Sequence, residues 1–109
     1  MLDKRKVTVL GNELTLGRRT VYLDLRHSMA IQQALADGLQ DDDPARQLMR
    51  IGYAKMTACI IDGEPPTLEQ CLYDVPVDEW EEWSKAAKAL NPEWFDLSIP
   101  EPDAKKKKN

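Results

Sequence analysis

One histidine, His27, and two cysteines, Cys59 and Cys71, are the strongest neutral-pH reactive groups in this 109-residue chain. Covalent catalysis with such residues needs a base within reach of the thiol and a third group to orient that base. His27 lies between Arg26 and Ser28 in no such pattern, and the cysteines form no CxxC pair. A structural zinc site takes four Cys or His ligands at short spacings, which this inventory does not supply. The run Asp41-Asp42-Asp43 has the charge for a divalent cation. It lacks the alternating ligands and closing glutamate of a calcium loop, and Pro44 follows at once. Three aspartates before a proline suit the positive end of a helix instead. The stretch LGNELTLG carries two glycines but no phosphate-binding spacing. Glu79, Glu81 and Glu82 read as a solvated helix face rather than a catalytic pair. The residues predict no enzyme, no cofactor and no metal site, with His27 exposed on a helix and both thiols buried and reduced.

Hydrophobic residues make up 42% of the chain and charged residues 31%, with a formal net charge of −4. Residues 1–99 hold 11 basic and 17 acidic groups, while the last ten are locally basic. An acidic body does not neutralise phosphates, so nucleic acid is not an expected partner. No stretch approaches the roughly 20 apolar residues of a membrane span. The start, MLDKRKVTV, has no apolar run of a signal peptide. A cytoplasmic protein is expected.

Any binding surface must be positioned by local elements. Val7 and Val9, then Leu14 and Leu16, alternate with polar residues around Gly11-Asn12, predicting a hairpin with strands near 6–10 and 13–17. From Thr20, a plausible cap, Val21, Leu25, Ser28, Ile31, Leu35 and Leu39 recur with a period of about 3.6, predicting an amphipathic helix over 20–38. Asp43-Pro44 starts a second helix over 43–61, whose Gly52 suggests a close helix crossing, and Asp62-Gly63 with Pro65-Pro66 ends it. Thr67 opens a short helix over 67–73, and Asp78 caps a last helix over 78–90 that stops at Asn91-Pro92. The expectation is an α+β, mainly α domain over residues 1–97, a hairpin followed by three to four packed helices. A disordered charged tail is expected over 98–109.

The three tryptophans and the single phenylalanine fall within 80–95. Large aromatics anchor cores and interfaces alike. Trp80 and Trp83 lie on the stripe of the last helix and read first as core. Trp94, Phe95, Leu97 and Ile99 lie beyond the helix stop and are the candidate partner-binding residues.

The stretch TACIIDGEPPTLEQCLYDVPVDEWEEWSKAAKALNP, residues 57–92, resembles the tail assembly chaperones of long-tailed bacteriophages. The likeness lies in the Ile61-Asp62-Gly63 turn, the short Leu68-Glu69…Leu72 helix, the valine-to-aspartate start of the last helix and its Leu90-Asn91-Pro92 close. The N-terminal half agrees only in element order. The resemblance implies a non-enzymatic protein of a phage or prophage, acting in the cytoplasm of the bacterial host. Such a protein binds the tape-measure and major tail-tube proteins during virion assembly and is absent from the finished particle; self-association is a further possibility. It also gives a meaning to Lys105–Lys108 followed by Asn109. Four lysines and an asparagine can be encoded by a nearly unbroken run of adenines, on which ribosomes slip by −1 to make an extended form. The other reading of these lysines is a plain solvated charge run. The other reading of the chain is a small acidic adaptor, antitoxin-like or immunity-like, that binds a basic partner.

Overall fold

Alternating residues in the first segment pair as an antiparallel hairpin, β1 (Lys4–Val9) and β2 (Asn12–Gly17), with Val7 opposite Leu14 and Arg5 opposite Leu16. The computed structural model describes residues 3–95. The hairpin turn sits one residue earlier than the Gly11-Asn12 pair suggests. Leu10 and Gly11 occupy it, at φ 50° and 80°, the double positive φ of a type I′ turn. The same residues face the core in either register, so hydrophobic alternation does not choose between them. The Leu10 N–H donates to Glu79 Oε1 at 2.9 Å, a tertiary bond that favours the observed turn.

Thr20 caps α1 (Val21–Gly38), its hydroxyl accepting from the Leu23 N–H. Asp43 caps α2 (Pro44–Ala58), with Pro44 in the first turn where no N–H is needed. The expected second helix runs three residues too far. It stops at Ala58, and Ile60–Asp62 form β3, antiparallel to β2 in the sheet order β1-β2-β3. The free edge of β2 and the β-branched Ile60 and Ile61 outweigh helical continuation there. Gly63, at φ 101°, turns the chain away. A Cβ at that position would overlap the Glu13 carbonyl oxygen, so only glycine fits.

Thr67 and Gln70 form a reciprocal capping box on α3 (Leu68–Tyr73). In α4 (Val77–Leu90) the residue before the first turn is Pro76, not Asp78. Asp78 and Glu79 lie inside that first turn, where their charge still favours the helix start. A four-residue α5 (Pro92–Phe95) follows. The fold is α+β and mainly α.

Helix α4 lies on the hairpin and α1 packs along α2. Val9, Leu14 and Leu16 from the sheet meet Trp83, Ala87 and Leu90 from α4, with Met56, Cys59 and Ile60 closing the core. Asn91 is fully buried among them. Its side-chain N–H₂ donates to the Gly17 carbonyl at 3.0 Å and its oxygen accepts from the Arg19 N–H at 2.7 Å. Beside it Arg18 donates to the Leu90 carbonyl and, with both terminal nitrogens, to Glu93 at 2.8 and 3.0 Å. This polar knot ties the end of α4 to the strand-to-helix junction at residues 17–19.

Candidate functional site

Among the described residues, two apolar surfaces stand out once the core is assembled. The first is a groove of about 530 Å³ between α2 and α4. Leu48, Met49 and Met56 form one wall, Leu72, Trp80 and Phe95 the other, with Gly52 beneath them. Trp83, fully buried, meets the Trp80 ring edge to face at 5.4 Å and 73°, which fixes the half-exposed Trp80 in place. Lys55 and Lys88 stand at the groove, and the Lys55 ammonium lies 5.9 Å from the centre of the Phe95 ring. Gly52 does not mark a tight helix crossing. A Cβ there would reach Trp80 Cζ2 at 3.8 Å, an ordinary contact, so the absent side chain deepens the groove.

The second surface is the outer face of α1. The periodicity that predicts this helix is real, but its large residues point outward. Val21 is 79% exposed, Leu25 59%, Leu35 54% and Leu39 89%, with Tyr22 and Met29 exposed beside them. The inner face is made by Leu23 and Ala34, with His27, Ala30 and Ile31 half buried. Small alanines let α1 approach α2, and Arg26 reaches across to the Ile60 and Thr57 carbonyls. The helix is thus apolar on two sides, and the side carrying its bulk is uncovered among the described residues.

The aromatic candidates divide. Trp94 is buried rather than exposed: its ring stacks on His27 at 4.3 Å and its indole N–H donates to Asp24 at 2.8 Å. It locks α5 onto α1 and offers no free surface. Phe95 and Trp80 line the groove together, while Trp83 belongs to the core. Leu97 and Ile99 lie outside the described residues, as does the whole 98–109 tail. Leu48 and Met49 had no distinguishing signal, because a helix with a modest apolar stripe shows its period and not which residues stay uncovered.

The reactive groups are engaged elsewhere. Burial pushes both the Cys59 and Cys71 thiols up to about 11, which disfavours the thiolate needed for chemistry. His27 is half buried rather than exposed; desolvation and the nearby Lys55 charge hold it below the usual histidine range. Asp41 accepts from the Asp43 N–H and from Arg46 and Arg50, and these bonds lower its carboxyl. Arg46 continues to Glu69 and the Tyr73 hydroxyl, joining α2 to α3. The aspartate run is thus a cap and an arginine anchor. Among the described residues no three His, Cys, Asp or Glu side chains group as a metal site, and no helix is long and apolar enough to cross a membrane.

Compared with protein-family models, curated proteins and solved structures, the chain matches none.

Proposed function

We propose that this chain is a non-enzymatic binding protein that holds an apolar segment of another protein in its α2–α4 groove, as a tail assembly chaperone of a long-tailed bacteriophage. The observation that carries the reading is the groove: two aromatic rings, two methionines and two leucines around an absent side chain at Gly52. A cleft of this kind accepts an amphipathic helix or extended segment through a few apolar anchors. Lys55 and Lys88 favour a segment with acidic flanks. The groove is open and limited in size, which suits a grip released as assembly proceeds. The tape-measure and major tail-tube proteins are the partners that the resemblance of residues 57–92 suggests, and the run Lys105–Lys108 with Asn109 fits a slippery site for an extended form.

The native gene tests this reading. An adenine run through codons 105–108 and the first two bases of codon 109, with the −1 frame open into further coding sequence, is the expected result. Mixed AAG and AAA codons with the −1 frame closed at once would remove the recoding argument. The negative balance of residues 1–99, 11 basic against 17 acidic groups, would then favour a small acidic adaptor, antitoxin-like or immunity-like, for a basic partner.

A further inference from the structure

The uncovered face of α1 carries a pattern that neither the fold nor the groove uses. Val21, Leu25, Ser28, Gln32, Leu35 and Leu39 are separated by steps of four, three, four, three and four residues, and every one is exposed. That is the spacing of a helix-pairing seam. The residues facing the body, buried Leu23 and Ala34 with half-buried His27 and Ala30, lie on the opposite side of the helix. The seam is also symmetric about residue 30: two apolar positions, two polar ones, two apolar ones. We infer that α1 pairs with α1 of a second copy of this chain, antiparallel, about a two-fold axis near residue 30.

In that register Val21 meets Leu39 of the second copy, Leu25 meets Leu35, and Ser28 meets Gln32. Each apolar residue finds an apolar one, and the central hydroxyl and amide find each other. Sliding one helix by a heptad sets Ser28 or Gln32 against leucine, so the polar layer fixes the register. Met29 lies beside the axis and faces its own copy, while Tyr22 widens the apolar strip next to Ala36 of the second copy.

Charge selects the antiparallel direction. Beyond Leu39 the chain enters Asp41–Asp43, and before Val21 it carries Arg18 and Arg19. Antiparallel pairing brings each acidic loop to the arginine end of the other helix. Parallel pairing would gather six aspartates at one end and four arginines at the other, with the helix dipoles aligned. Asp24 and Asp37 sit off the seam and do not meet their own copies in the antiparallel register. Arg18 stays paired with Glu93, and Asp41 with Arg46 and Arg50, while Arg19 makes only longer contacts, 3.6 Å to Asp24 and 3.9 Å to Glu93, so Asp42 and Asp43, with the loosely held Arg19, supply the charge available to the second copy.

A helix of 18 residues is about 27 Å long, so its strip buries on the order of 500 Å² per copy, short of the ~800 Å² per partner of a standard interface. The dimer is therefore weak and responds to concentration. It is independent of the groove, which lies on the α2–α4 side.

Sedimentation velocity on the full chain, from low micromolar to submillimolar, tests the pairing. The mass should rise from monomer toward dimer, and Leu25→Glu with Leu35→Glu should stay monomeric with unchanged circular dichroism, since both side chains are exposed in the single copy. A monomer at every concentration, or a dimer that survives the double substitution, would overturn the inference. Direction is read by mild oxidation, with buried Cys59 and Cys71 as silent background. Ser28→Cys mixed with Gln32→Cys should cross-link to each other and not to themselves. Efficient self-cross-linking of Ser28→Cys would overturn the antiparallel register.

Discussion

Replacing Asn91 by alanine should be among the costliest changes available in this domain. The side chain is fully buried, and its amide makes one donor and one acceptor bond to backbone groups at Gly17 and Arg19. Two hydrogen bonds are worth about 1 kcal/mol each, and each buried group left without a partner adds part of a ~1–3 kcal/mol desolvation penalty, which together give about 3 kcal/mol. For a domain of this size each kcal/mol lowers Tm by about 4–8 °C, so the expected fall is roughly 12–24 °C. Thermal and urea unfolding followed by circular dichroism supply the assay. Asn91→Asp separates hydrogen bonding from packing, because it preserves the shape and the acceptor to Arg19 but turns the donor into a second acceptor facing the Gly17 carbonyl. Burial and that opposing carbonyl raise the new carboxyl above its unfolded value of about 3.9. A group raised in the folded state stabilises below its unfolded pKa and loses that contribution as pH rises through the folded one. The gap between Asn91→Asp and the parent protein should therefore widen from pH 3 toward pH 7. A cost under ~1 kcal/mol for Asn91→Ala, below one ordinary hydrogen bond, would refute the clamp. A gap that ignores pH would refute the assignment of donor and acceptor.

Further outcomes follow from single positions. Gly52→Ala should stabilise by about 1 kcal/mol through helix propensity, because its Cβ would meet Trp80 only in ordinary contact at 3.8 Å; a loss in urea unfolding would mean that the helices are closer than described. Gly63→Ala should cost at least ~1–3 kcal/mol from backbone strain at φ 101°, with more from overlap on Glu13; a neutral result would place the β3 exit differently. The Glu93 carboxyl, held down to about 2 chiefly by its bonds from Arg18, is lowered in the folded state. Its contribution is present above about pH 4.5 and is lost as pH falls toward 2. Glu93→Gln should flatten that part of the acid-unfolding profile, and an unchanged profile would show the pair to be inert.

Three helix starts were legible because capping is local, whereas the start of α4 was misplaced at Asp78 because Pro76 makes no side-chain cap bond. Thr20, Asp43-Pro44 and Thr67 with Gln70 announce themselves within four residues. What the pattern could not supply was direction and long-range pairing. On α1 the period of Val21, Leu25, Leu35 and Leu39 is visible, yet these residues face out, while the inner side is built from Leu23, Ile31, two alanines and a histidine, a weaker apolar stripe than the outer one. Strand β3 exists only because β2 presents a free edge some 45 residues earlier in the chain. Asn91 reads as a helix stop, and its role as a clamp depends on Gly17 and Arg19 arriving beside it. Of the aromatic candidates, Phe95 and Trp80 reached the groove, whereas Trp94 was drawn inward by a stacking partner, His27, that its sequence neighbours do not reveal.

The central proposal is that the α2–α4 groove grips a tail-assembly partner, and co-expression with any tape-measure protein found encoded beside the native gene tests it most directly. The tagged chain should co-purify the tape-measure protein, and Leu48→Glu, a change at a 74% exposed groove residue, should abolish that while leaving Tm unchanged. Equal recovery of the tape-measure protein by the parent chain and by Leu48→Glu, or no recovery by either, would contradict the account.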